Sequence, residues 1–300
     1  MAADSLRSIL YALGANLAIA AAKSAGAAYT GSASMLAEAI HSFADCVNQI
    51  LLIWGLREAR RAASAHYPLG HGRAIYFWSF IVSLMLFSMG GLFSIYEGVR
   101  KLDAHAPVKF AWVAVAILAF GVVAESFSLW GALREIDKDR GSRSLWQWFR
   151  VSRQSELLVI LGEDLAALGG LALALLFILL SELTGNPVWD AIGSIGIGVL
   201  LVGVALVVGR EVKSLLIGQS AEPEVDLQLR THIEAQPEVA QVYHLITQQL
   251  GADLMLAVKA RMHPAGSEVA LIEAINAVER GLRTAFPQLR WVFFEPDLRD

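Results

Sequence analysis

The sequence predicts an α-helical integral membrane protein, with six transmembrane helices followed by a small α+β domain. Three observations carry that expectation. Hydrophobic residues make up 56% of the 300-residue chain and charged residues only 17%, with a mean hydropathy of +0.52, whereas a soluble chain carries about 25% charge. Six apolar stretches each reach the roughly 20 residues that a bilayer crossing needs. From about Val212 charges return, and Pro223, Pro237, Pro264 and Pro287 punctuate the chain.

The spans fall near 8–29, 33–56, 75–99, 110–133, 157–181 and 187–209. Arg7 before an apolar run gives the first the look of a signal peptide. Lys23 interrupts it, however, and only the turn Thr30 to Ser34 separates it from the second span, so the two read as a hairpin retained in the protein. Loop charge sets the orientation. Arg57, Arg60, Arg61 and Arg73 follow the second span, and Arg134, Lys138, Arg140, Arg143, Arg150 and Arg153 follow the fourth. The third loop has only Arg100, Lys101 and Lys109, and the fifth, Ser181 to Asn186, has no Lys or Arg. The positive-inside rule then places both termini in the cytoplasm, and a bacterial inner (plasma) membrane is the simplest location.

The division expected is 1–211 for the membrane domain and 212–300 for a domain on the cytoplasmic side. In the latter, Glu224 to Ala235 reads as a helix, and Val239 to Leu250 and Asp253 to His263 as strands. Ser267 caps a helix to about Ala285, and Arg290 to Phe294 reads as a last strand. That α-β-β-α-β order makes a layered domain with its sheet on one side. The net charge of −4 is too small for a nucleic-acid partner. A single cysteine, Cys46, excludes an internal disulfide and thiolate metal clusters, and reads as packing.

Polar residues inside the spans carry the chemistry. Glu38, His41, Asp45 and Asn48 follow helical spacing along one face of the second span. Charges at membrane depth cost about 2.5–3.5 kcal/mol each. The fifth span adds Gly162-Glu163-Asp164, adjacent acids that point about 100° apart, so at most one aims straight into a shared site. Lys23, Asn16, Asn48 and Gln49 are the few donors nearby. A divalent cation, or protons in its absence, neutralises Glu38, Asp45, Glu163 and Asp164 more readily. Imidazole nitrogen with carboxylate oxygen suits Zn²⁺ and also serves Mn²⁺, Co²⁺ or Fe²⁺.

The run Lys23 … Thr30-Gly31-Ser32 … Met35-Leu36-Ala37-Glu38-Ala39-Ile40-His41-Ser42-Phe43-Ala44-Asp45 resembles the opening of the cation diffusion facilitator family. Tyr67-Pro68-Leu69-Gly70-His71-Gly72-Arg73 does so as well. Glu163-Asp164-Leu165-Ala166-Ala167 and Thr184-Gly185-Asn186-Pro187 … Asp190 … Gly193-Ser194 resemble the branch containing zinc transporter nine. The resemblance implies a homodimeric divalent-metal transporter, usually a metal/proton antiporter, with a dimerising cytoplasmic tail of metallochaperone-like fold. Dimer contacts would come from the C-terminal domain and the membrane helices. It also implies a metal site built from two positions four apart on the second helix and two on the fifth. The first pair is His41 and Asp45. On the fifth helix Asp164 matches, but the position four before it is Ile160, which cannot ligate. Glu163, Asn48 or water then remains for the fourth donor, with Glu163 preferred. The transported cation expected is Zn²⁺, with Mn²⁺, Fe²⁺, Co²⁺ and Cd²⁺ as alternatives, and no resident cofactor is called for.

Other residues carry weaker signals. His66 and His71 lie where some members bind an additional metal, but the spacing differs and the acid is missing, so loop packing is favoured. His232, His244 and His263 would have to converge to form a regulatory site, and Val292-Phe293-Phe294-Glu295 lacks a histidine, which points to a tail for dimerisation. Asp190 reads as an acid at the start of its helix. Glu125, with Ser126 and Ser128 beside it, either lines a cavity or bonds to a neighbouring helix. Gly193, Ser194, Gly196, Gly198 and Gly203 read as close-packing positions, and Tyr76, Trp78, Trp146 and Trp148 as interfacial anchors. The mechanism expected is alternating access, with protons and metal exchanging on His41 and the carboxylates. An intramembrane metalloenzyme lacks a His-Glu-x-x-His pattern, so no enzyme is expected. A scaffold held by polar helix contacts is the other class, and a channel is disfavoured because tight ligands impede fast exit.

Overall fold

Each apolar stretch closes its backbone hydrogen bonds within one long helix, as a lipid surround requires. The protein, seen in a computed structural model, is described over residues 2–104 and 110–299. Lys109 of the third loop lies outside them. Helix α1 covers Ala2–Thr30, α2 Ala33–Ala59, α3 Ala74–Met85, α4 Phe93–Ala104 and α5 Ala111–Arg140. Then follow α6 (Leu145–Val151), α7 (Ser155–Thr184) and α8 (Val188–Ile217). Among the described residues five helices are long and apolar enough to cross a membrane, beginning at Ala33, Ala74, Ala111, Ser155 and Val188. The first predicted span corresponds to α1, which is 29 residues long. The chain is an α-helical integral membrane protein.

The spans run a turn or so longer than predicted, and two features had no forecast. Between α3 and α4, Leu86–Leu92 adopt π-helical turns, so the third span changes pitch at mid-length. The short helix α6 interrupts the long basic loop, started by a capping box in which Ser144 and Gln147 satisfy each other's backbone N–H.

The chain divides into two compact units. The first comprises residues 1–54, 78–143 and 156–212. Its core joins Met35, Ala37, Leu86, Leu118, Leu171, Ile178, Ile197 and Leu201. The turn from α1 to α2 needs Gly31, whose φ of +66° disfavours a side chain and whose N–H bonds Ala27 O at 2.9 Å. Close helix packing occurs at Gly193, Ser194 and Gly198. A Cβ on Gly198 would fall 2.6 Å from Gly91 O, one on Gly193 2.7 Å from Phe177 Cβ, and Ser194 Oγ donates to Ser94 O at 2.7 Å. A Cβ on Gly196 would only touch Leu173 Cδ1, at 3.9 Å, and one on Gly203 would meet open space.

Asp190 caps a helix other than its own. Its carboxylate accepts from Ser32 Oγ (2.6 Å), Ala33 N (2.7 Å) and Ser34 N (3.3 Å) at the start of α2, and pairs with Lys101 Nζ at 2.8 Å. Lys101 also donates to Gly31 O.

The second unit comprises residues 55–77, 144–155 and 213–300. Helix α9 (Pro223–Glu234), β1 (Val239–Leu250), β2 (Asp253–Met262), α10 (Glu268–Ala285) and β3 (Leu289–Pro296) follow the predicted α-β-β-α-β order. The sheet order is β1-β2-β3, β1 antiparallel and β3 parallel to β2. The parallel pair is reached through α10, as a crossover must be. Alternate β2 residues Leu254, Leu256, Val258 and Ala260 face a core with Leu229, Ile233, Val278 and Leu282. Ser267 Oγ accepts from Ala270 N at 3.1 Å, the cap expected.

Two of the aromatic anchors belong to this unit's interior. Trp148 is fully buried, and Tyr76 is buried with its hydroxyl accepting from Gly251 N at 3.0 Å. Both are packing residues; Trp146 alone of the loop pair is exposed. Two basic loop residues bind carbonyls at and just past the end of α8. Arg73 donates to Leu216 O and to Ile217 O (3.0 Å) at the end of α8, and Arg153 Nε to Ser220 O at 2.8 Å. Cations at a helix C-terminus complement its dipole.

Candidate metal centre

The polar face of α2 is two overlapping stripes that meet at Asp45. Positions 38, 41, 45 and 48 form the one visible in the sequence; Ser42, Asp45 and Gln49 form the second, at spacings of three and four. This second stripe lines a cavity of about 90 Å³ within the first unit, together with Asn16 on α1, Glu125 and Ser128 on α5, and Ile160, Glu163 and Asp164 on α7. Such a volume holds a cation and a few waters. Spacing alone contained the signal for Ser42 and Gln49. The α5 residues had none beyond being polar in an apolar helix.

Both adjacent acids of α7 reach the cavity. They are more than nine-tenths buried, at 7% and 8% exposure. Their roughly 100° separation on the helix is absorbed by different partners. Asn48 Nδ2 donates to Glu163 Oε1 at 2.5 Å, and Ser128 Oγ stands 3.2 and 3.3 Å from the two Asp164 oxygens.

His41 is fully buried, with Nδ1 3.6 Å from Asp45 Oδ1 and neither ring nitrogen hydrogen-bonded. A Cβ added at Gly90, in the π-helical turns, would stand 3.9 Å from that Nδ1, so the third span packs against the ring. Asp45 Oδ1, Asn48 Oδ1 and Gln49 Oε1 are likewise buried without partners. Buried polar atoms are nearly always satisfied, and each exception calls for an explanation. Among the described residues no three His, Cys, Asp or Glu side chains stand at metal-binding distances. The arrangement is a chamber with donors spread round its wall.

Glu38 is set apart by its own cation. Lys23 Nζ, buried, donates to Glu38 Oε2 at 3.1 Å and to Ser42 Oγ at 2.7 Å. Gly170 leaves room for the other oxygen, since a Cβ there would collide with Glu38 Oε1. One orphan atom remains at Glu38 Oε1.

The remaining histidines lie in the second unit. His66 lines a cavity of about 230 Å³ with Tyr67, Gly72, Arg73 and Leu250. The His71 ring lies 4.3 Å from that of Tyr67, and its Nδ1 is buried without a partner. His232, on α9, contacts Gln236 and the Phe286 ring, His244 is exposed on β1, and His263 follows β2.

Comparison with known proteins defines the class. Residues 9–217 match the cation efflux transmembrane domain, and the chain belongs to that family. It is 36% identical over 225 residues to the mitochondrial proton-coupled zinc antiporter of Xenopus laevis, covering 74% of this chain and 40% of the relative. The human counterpart is 34% identical over the same length. A cation-efflux pump of Klebsiella pneumoniae is 24% identical over 266 residues, 86% of this chain and 81% of the pump. The chain thus spans about 40% of the length of the antiporters it matches. These relatives are named as transporters, in line with the expectation that the chain is not an enzyme.

Proposed function

We propose that the protein moves a divalent cation, Zn²⁺ in the first place, across its membrane by proton-coupled alternating access. The observation that carries this is the set of buried, unpartnered donors on His41 and Asp45 beside a cavity walled by Glu163 and Asp164. His41, Asp45 and Asp164 are the principal ligands, with Glu163 contributing and Asn48 orienting it. Glu38 stays with Lys23. Gathering the dispersed donors around an ion requires α2 and α7 to shift, and that shift is the step that turns the site from one side of the membrane to the other.

Metal binding needs deprotonated ligands, so a site of imidazole and carboxylate exchanges protons for metal. An imidazole has an ordinary pKa of about 6.5 and is suited to that exchange near neutrality. Residues 1–211 form the transport domain and 212–300 the part through which two copies pair, membrane helices adding to the contact. Both termini lie in the cytoplasm, the membrane being the inner membrane of a bacterium. The named activities of the relatives support the reading.

Purified protein in liposomes with an internal zinc-sensitive dye tests it. Uptake driven by a pH gradient should be lost in Asp45→Ala and Asp164→Ala, and uptake unchanged in both would overturn the site. His41→Ala should lose that uptake as well, and proton-coupled uptake unchanged in this variant would remove His41 as the exchanging group. Competition by Mn²⁺, Fe²⁺ and Cd²⁺ ranks the metals.

A further inference from the structure

The fifth span leaves one position of the metal centre without a donor, at Ile160, and the fold brings another carboxylate to the same cavity. We propose that Glu125, on α5, is a direct ligand of the transported cation and supplies the donor that Ile160 cannot. This rests on the reading of the cavity as the transport site.

Glu125 and Ile160 line one cavity, together with Asp45, Glu163 and Asp164. Ser128 is three residues beyond Glu125, on the same face of α5, and its hydroxyl bonds the Asp164 carboxylate. That contact holds the Glu125 face of α5 toward α7. A purely structural role for Glu125 would need a hydrogen-bonding partner. Neither neighbouring serine provides one, since Ser128 is engaged with Asp164 and Ser126 Oγ donates to Val122 O of its own helix at 2.6 Å. Among the described residues Glu125 has no hydrogen bond and no ion pair. The buried cation Lys23 is bound to Glu38 and Ser42.

Independent signs of an absent positive partner surround it. His41 is fully buried with both ring nitrogens unpartnered, and so is Asp45 Oδ1 beside it. Four carboxylates around so small a chamber, with lysine spent elsewhere, are stabilised by a shared cation far better than by separation in apolar surroundings. A carboxylate on α5 also gives the ion contacts on three helices, α2, α5 and α7. A site confined to α2 and α7 would lack the third.

Calorimetric titration of Zn²⁺ into the purified full-length protein tests the proposal. The variants are Glu125→Gln, the double variant Glu125→Gln with Ile160→Asp, and Asp164→Asn. Loss of groups that only orient ligands weakens metal sites about 10–100-fold, so loss of a direct donor in Glu125→Gln should weaken binding by at least about tenfold. Restoring a carboxylate at 160 should recover most of it, a rescue that a packing role for Glu125 would not permit. Native-like affinity in Glu125→Gln, or a loss that Ile160→Asp fails to reverse, overturns the proposal. Native-like affinity in Asp164→Asn overturns the cavity reading itself, and so separates the two failures.

Discussion

Two clusters of buried acid lie in the membrane unit, and they are satisfied in opposite ways. At Asp190 the carboxylate accepts from Ser32, Ala33 and Ser34 and pairs with Lys101, so a buried charge is saturated by the start of α2 and a lysine of α4. At Asp45 one carboxylate oxygen, both nitrogens of His41 and the carbonyls of Asn48 and Gln49 are left without partners. A bare acid in an apolar helix is costly in either place. Saturation by the protein makes a lock; incomplete saturation leaves an acid free to take an ion or a proton. Lys23 and Glu38 are an intermediate case, with a paired charge and one orphan oxygen.

The comparison breaks first at the lock. Asp190→Ala strands Lys101 and bares the N-terminus of α2. Removal of one partner from a buried pair costs about 3–5 kcal/mol, so a large fall in the melting temperature of the detergent-solubilised protein is expected. The zinc affinity of the folded fraction should not change. A melting curve like the native one would mean that saturation is not what holds this end of the bundle.

At the cavity the signs reverse. Asp45→Asn should melt no lower than the native protein without metal, because the carboxylate oxygen it replaces is buried without a hydrogen bond. Zn²⁺ at a hundredfold above its dissociation constant stabilises a binding protein by about 2.7 kcal/mol. The native protein should show that rise and Asp45→Asn should not. Equal zinc-induced shifts in both would remove Asp45 from the site.

Smaller effects test the C-terminal unit. Ser267→Ala removes the acceptor for Ala270 N and should destabilise α10 by about 1 kcal/mol, read as faster amide exchange in that helix. Smallest is the pH response of Asp297. Its hydrogen bond with Lys259, aided by the N–H groups of Leu298 and Arg299, holds this exposed carboxyl below the usual carboxylate range. A lowered pKa adds stability above the ordinary value of about 3.9, and that contribution disappears as pH falls through the lowered one. Asp297→Asn should therefore flatten only the most acidic part of the stability profile, and salt should shrink the difference.

Asp190 and Asp45 also show how far reading the chain goes. Both were visible as acids within apolar runs, and helical spacing placed His41 and Asp45 together because i and i+4 are neighbours on any helix. The C-terminal order was equally legible, since β2 alternates and Ser267 marks the start of a helix. Spacing could not say that Asp190 caps α2 from 157 residues away, or that Tyr76 and Trp148 turn inward. Nor could it place Arg73 and Arg153 on carbonyls at and just past the end of α8.

Composition, apolar period and the residues within one helix turn determined the class of the protein, its long helices and the first pair of candidate ligands, because those properties depend on neighbours in the chain. Tertiary structure alone decided which acids are saturated, how Glu163 and Asp164 both reach one cavity, and that Glu125 joins them. Those outcomes depend on which helices touch, and packing between distant segments is written in no local pattern.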